Sequence, residues 1–105
     1  MAKAAKRATL APVHPGEILR EDLMKPLGLS SNALALALRV PVTRVNDIAR
    51  GRRAITVDTA LRLARYFGST AEFWLGLQAQ YDLRIAAEDN SRIRSEVQPR
   101  RTIAA

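Results

Sequence analysis

The chain has 105 residues, no cysteine and a formal net charge of +7. That length supports one small domain around a modest core, and the missing thiols exclude a disulfide scaffold and any thiolate metal site. With 48% hydrophobic but only 5% aromatic residues, the core must rest on Leu, Ala, Val and Ile, which favours packed helices over a β-sandwich.

Residues 1–13 lack a clear period and read as a flexible arm. They carry Lys3, Lys6 and Arg7 but no apolar stretch of the kind a secretory signal needs. No run in the chain approaches the ~18 apolar residues that span a bilayer. A cytoplasmic setting and no membrane partner are therefore expected.

The domain is expected over residues 14–88. Pro15 suits the first position of a helix, where its missing N–H costs little. Glu17 falls in the first turn, where the helix dipole favours a carboxylate. Ile18, Leu19 and Leu23 give this helix an apolar edge, and Pro26 and Gly28 are expected to stop it. Ser30 or Ser31 can cap a second helix, LSSNALALALRV, by accepting an orphan backbone N–H. Leu34 and Leu38 lie on one of its faces, and Pro41 bars its continuation.

A third helix is predicted from Val42 to Arg50, with Gly51 as its stop. Val45, Ile48 and Ala49 form one narrow apolar stripe. Thr56 caps a fourth helix, VDTALRLARYF, whose buried stripe is read as Val57, Ala60, Leu61, Ala64 and Phe67. Thr70 and Glu72 open a fifth, AEFWLGLQAQYDLRIAAE, with two apolar edges. One is Trp74, Leu77, Tyr81 and Ile85; the other is Leu75, Ala79, Leu83 and Ala86. Phe73, Trp74 and Tyr81 are expected in the core rather than as base-stacking residues. Residues 89–105 read as a flexible basic tail.

The second and third helices, joined by a short turn, make a helix-turn-helix pattern. The thin stripe on the third helix leaves most of its girth open, as a helix entering the ~12 Å major groove requires. Around that girth lie Thr43, Arg44, Asn46, Asp47 and Arg50, the candidate base contacts. Arg can grip guanine with two bonds, Asn can grip adenine, and Asp can accept from cytosine N4. Arg52 and Arg53, in the loop that follows, are candidate phosphate contacts that position rather than specify. A solvated polar face is the alternative reading.

A helix apolar on two sides needs cover on both. Leu75, Gly76, Ala79, Leu83 and Ala86 are accordingly expected at a homodimer interface, Gly76 admitting a partner backbone; the arm or tail is the competing cover. No enzyme is expected. His14 is the only histidine, and no residue set for a metal, a cofactor or nucleophilic catalysis is present. The five glycines are dispersed and read mostly as helix punctuation, so there is no phosphate-binding loop.

The blocks HPGEIL, NALALAL, RVNDIARGRRAIT, DTALRLARYFG and FWLGLQAQYDL resemble the HigA-type antitoxins of the Xre helix-turn-helix family, in family order, from about Val13 to Ala87. The resemblance implies an all-α, five-helix, lambda-repressor-like domain. It also implies a homodimer on a palindromic double-stranded DNA operator, and a HigB/RelE-like toxin that cuts mRNA and is neutralised by this chain. The alternative is a stand-alone Xre-type repressor. The chain departs from the family at Arg39, where glycine is usual; Arg39 either accepts a left-handed backbone or finds another turn, and could add a phosphate contact. Pro41 stands where a capping side chain would help. A basic toxin could dock on Glu17, Glu21, Asp22, Glu72, Asp82, Glu88 or Asp89, and the arm and tail are further candidates for toxin or minor-groove contact.

Overall fold

The computed structural model describes residues 11–87 and 89–101; the basic residues of the arm and Glu88 lie outside these described residues. Among the described residues there are six helices and no strand. The first, α1, is continuous through an α stretch at Pro15–Ile18, a π stretch at Leu19–Met24 and a last α turn at Lys25–Leu27. Then come α2 (Ser31–Leu38), α3 (Val42–Ala49), α4 (Val57–Phe67), α5 (Ala71–Ala87) and α6 (Ser91–Glu96).

Pro26 does not stop α1. A proline inside an α-helix clashes with the carbonyl four residues back and leaves it without a donor. Here the backbone widens ahead of it, and the Lys25 N–H reaches back five residues to the Arg20 carbonyl. This π opening carries the helix past Pro26 as far as Gly28.

Four helix ends share one solution. The pairs Gly28 and Leu29, Arg39 and Val40, Gly51 and Arg52, and Gly68 and Ser69 each turn back over the preceding helix. In each, the second N–H bonds a carbonyl five residues earlier, at 2.8, 3.1, 2.8 and 3.0 Å respectively. This closure places the first residue of the pair in the left-handed region. Gly28, Gly51 and Gly68 have φ of +66°, +74° and +73°, and Arg39 has φ +61°. Arg39 therefore takes the glycine geometry rather than another turn, and it is the one non-glycine with positive φ among the described residues. A side chain there is strained. Arg39→Gly is expected to stabilise the domain by about 0.5–1 kcal/mol, the relief being partly offset by the greater freedom of the unfolded chain. A urea midpoint that does not rise would refute this.

The core gathers Leu19, Met24, Leu34, Ala35, Leu38, Val45, Ile48, Ile55, Ala60, Leu63 and Trp74. α2 packs on α3 and α4 on α5, while α1 crosses α3 and α5. Two stripes differ from the sequence reading. On α4 the inward row is Thr59, Ala60 and Leu63, and Val57 and Leu61 are 59% and 56% exposed. Ala60 is buried and Phe67 packs against the core as expected, but the apolar positions of α4 span a broad arc, and the inward face is shifted round the helix toward Leu63 and away from Val57 and Leu61. On α5 the inward row is Trp74 and Gln78; Phe73 and Ile85 are largely exposed, at 47% each.

Buried Gln78 is explained by its bonds. Its Oε1 accepts the Ile55 N–H at 2.8 Å, and its Nε2 donates to Asp82 Oδ1 at 3.0 Å. Ile55 lies in the loop between α3 and α4, so α5 fixes that loop by a buried hydrogen bond. Gln78→Leu, similar in bulk, leaves the Ile55 N–H without this partner and is expected to cost about 1–3 kcal/mol in denaturant unfolding. A loss below about 0.5 kcal/mol would mean that another acceptor takes over. After residue 88, the segment read as a tail carries the short exposed helix α6, on which Arg92 and Glu96 pair at 3.0 Å.

Candidate nucleic-acid interface

The α2–turn–α3 unit is built from local rules. Ser30 accepts the Ala33 N–H at 3.0 Å and starts α2, and the Arg39 turn ends it. Pro41 begins α3 in extended conformation without a side-chain cap, as its ring allows. α3 buries Val45, Ile48 and Ala49. Thr43 and Arg50 are exposed, and Arg44, Asn46 and Asp47 are half-buried on the flanks. The five side chains expected to meet bases thus surround the outer girth of one two-turn helix. Arg52 and Arg53 project from the following loop and are exposed.

This surface is not a bare positive stripe. Arg44 Nη1 pairs with Asp58 Oδ2 at 2.9 Å, and Arg53 Nη2 with Asp47 Oδ2 at 3.4 Å. Asp58 also takes Arg62 Nε at 3.0 Å. Its carboxyl is held below the usual range by Arg62 first and Arg44 second. From the sequence, Asp58 is only an acidic residue in the first turn of α4. Its bond to Arg44 spans 14 residues and has no local signature. Arg39 is exposed at the end of α2.

The rear of α3 is anchored from α1. Arg20 donates to the Ala49 carbonyl and also pairs with Glu21 at 2.9 Å. Hydrogen bonds from Lys25 and Arg20 pull the Glu21 carboxyl down to about 2. Glu21 and Asp82, both candidates for toxin docking, thus already hold partners within the chain.

His14 is the entry to α1: its Nδ1 accepts the Gly16 N–H at 2.9 Å, so the ring is neutral with its proton on Nε2. It meets Tyr81 edge-on, with ring centroids 5.0 Å apart. Burial lowers its pKa from 6.5, against the Asp82 charge and a backbone hydrogen bond at Arg53. The folded chain thus resists a proton that the unfolded chain accepts. The stability contributed by His14 is full above 6.5 and is lost as the pH falls below that value toward the folded pKa. Replacing it by Asn, which caps without titrating there, is expected to flatten that part of the stability curve. Denaturation midpoints from about pH 8 to about pH 5 check this; an equal slope in both proteins would refute it.

Among the described residues the second edge of α5 is open from Ala79 onward, while Leu75 packs against the core of its own chain. Leu75 and Gly76 are half-buried, Ala79 and Ala86 are exposed, and Leu83 is 70% exposed. A Cβ added at Gly76 would meet no atom of the described residues within 4 Å outside the local backbone of α5. Among the described residues, no group of three or more His, Asp or Glu could hold a metal, and no helix is long and apolar enough to cross a membrane.

Comparison with known proteins fits this geometry. The helix-turn-helix family pattern matches residues 21–74. Virulence-associated protein I of Dichelobacter nodosus is 52% identical over 93 residues, 89% of this chain and 86% of that protein. The Pseudomonas aeruginosa antitoxin HigA, solved with the higBA promoter, superposes with a TM-score of 0.80 at 46% identity, over 84% of this chain and 97% of that one. A HigA-family addiction module antidote protein of Coxiella burnetii gives 0.80 at 49% identity, over 87% and 100%. The chain belongs to the Xre-type helix-turn-helix family, in the group that includes the HigA antitoxins.

Proposed function

We propose that this chain is the antitoxin and autorepressor of a toxin–antitoxin pair. It acts by binding, not by catalysis, in the cytoplasm. Two copies join through Leu75, Gly76, Ala79, Leu83 and Ala86 and place their α3 helices in successive major grooves of a palindromic operator, ~34 Å apart. Thr43, Arg44, Asn46, Asp47 and Arg50 read base edges, and Arg39, Arg52 and Arg53 grip phosphates. The same chain neutralises a HigB/RelE-like toxin.

The observation that carries the reading is the outward girth of α3. It buries one thin stripe and leaves Thr43 and Arg50 exposed, on a fold shared over most of its length with an antitoxin solved on its promoter. The net charge of +7 suits a duplex partner. The dimer draws support from Ala79, Leu83 and Ala86, exposed among the described residues, and from the open space beside Gly76.

The test has two arms. The chain is purified from its native operon, and whatever accompanies it is identified by mass spectrometry; a small basic ribonuclease is the expected companion. DNA from its own promoter is then titrated with the chain at fixed salt. Binding without a toxin would leave a stand-alone repressor, and absence of promoter binding would overturn the assignment of α3.

A further inference from the structure

Asp58 ties the helix-turn-helix unit together through one oxygen. Its Oδ2 accepts from Arg44 at 2.9 Å and from Arg62 at 3.0 Å. Arg62 Nη1 also donates to the Leu38 carbonyl at 2.9 Å. Asp58 therefore links the first turns of α3 and α4, and through Arg62 the last turn of α2. Arg44 is joined to this group by one hydrogen bond, whereas Arg62 is held at a second point by the Leu38 carbonyl.

We infer that Asp58 is a specificity-determining residue, which withholds the Arg44 guanidinium from DNA phosphates and releases it to a base edge offering two acceptors. This rests on α3 being the DNA-reading helix. A phosphate contact carries no sequence information. For Arg44, moving to a phosphate exchanges one anionic partner for another. A guanine edge presents O6 and N7 in the spacing a guanidinium fits with two bonds; a phosphate can take two as well, but only the base edge stands in register with α3, on whose girth Asp58 holds Arg44. Arg62 stays on Asp58 in either case, and the carboxylate is not left beside the duplex without a cation. The device lowers binding to random DNA more than binding to the operator, and so widens the ratio between them.

Asp58→Asn tests this in the full chain, with promoter DNA and a scrambled duplex of equal length titrated across a salt series. The scrambled duplex is expected to bind more tightly, its salt slope steepening by about one unit per subunit. The promoter-to-scrambled affinity ratio is expected to fall by about tenfold, the weight of one modest base contact. In an Arg44→Ala background the same substitution should leave the ratio unmoved. Arg62→Gln, which keeps the Arg44–Asp58 pair, should preserve it. Melting curves accompany each variant, and Asp58→Ser serves if Asn impairs folding. An equal shift on both duplexes would overturn the inference, as would a loss of ratio in Arg62→Gln matching that of Asp58→Asn. If Arg44→Ala binds the promoter as well as the parent chain does, the assignment of α3 itself fails. If it binds more weakly and the Asp58 variants keep the ratio, only the role of Asp58 fails.

Discussion

Gly16→Ala is expected to destabilise the domain by about 3 kcal/mol, the upper end of what overpacking a core usually costs. Gly16 is fully buried in the first turn of α1. A Cβ there would overlap the Ile48 carbonyl oxygen, stand 2.6 Å from the Ile48 carbonyl carbon and lie 3.0 Å from His14 Nδ1. The obstacle is backbone, so no side chain can rotate away. The Ile48 oxygen is also committed, accepting the Gly51 N–H at 2.9 Å in the turn that closes α3. The variant must push α1 away from α3, opening the contact that Arg20 makes with the Ala49 carbonyl, or distort the end of α3. In a domain of this size each kcal/mol shifts the melting point by about 4–8 °C, so a fall of roughly 12–24 °C should be seen by circular dichroism. A loss under about 1 kcal/mol would mean that the two helices approach less closely than described. Gly76→Ala is the contrast: its Cβ meets nothing among the described residues outside its own helix backbone, so the folded monomer should gain helix propensity.

The Gly16 contact shows what could be read from sequence. Helix starts and stops were legible because they are local: Ser30, Thr56 and Thr70 each accept an N–H three residues ahead, and Gly28, Gly51 and Gly68 end their helices. The stripe of α3 was legible too, since it has three apolar positions at one spacing and polar residues elsewhere. The failures have a common origin in tertiary contact. HPGEIL reads as a helix entry, and nothing in it reveals that Gly16 lies against Ile48, 32 positions later in the sequence. On α4 too many positions are apolar to fix the rotation, so periodicity finds Ala60 and Phe67 but misplaces Val57 and Leu61. Gln78 was passed over because polar residues count as outward until a buried N–H such as that of Ile55 requires one. At the candidate interface the outward side chains of α3 can be named from residue type and helix position. Their holders, Asp58 for Arg44 and Arg53 for Asp47, cannot, because ion pairs across elements leave no period in the chain.

The second large effect concerns DNA. Arg44→Ala is expected to weaken promoter binding by about 1–3 kcal/mol for each lost base contact. If two copies bind a palindrome as proposed, two contacts are lost, and the total reaches about 2–6 kcal/mol, roughly 30-fold to 10⁴-fold in affinity. Part of this is returned, because the free chain no longer has to break the Arg44–Asp58 bond on binding. That bond involves side chains 29% and 56% exposed and is screened by water and salt, so the base contact outweighs it. The control is Arg52→Ala. Arg52 stands in the loop beyond the end of α3, and its side chain is expected to meet a phosphate. Its loss should weaken promoter and scrambled duplexes alike and flatten the salt slope by about one unit per subunit. The two variants therefore separate by kind, Arg44→Ala compressing the ratio between sequences and Arg52→Ala preserving it. The loop held by Gln78 sets the second result, since the Ile55 bond fixes the backbone that carries Arg52 and Arg53. Gln78→Leu should then reproduce the Arg52→Ala pattern in weaker form at a temperature where it remains folded. Were Arg52→Ala to change sequence preference instead, the loop rather than α3 would be reading the operator.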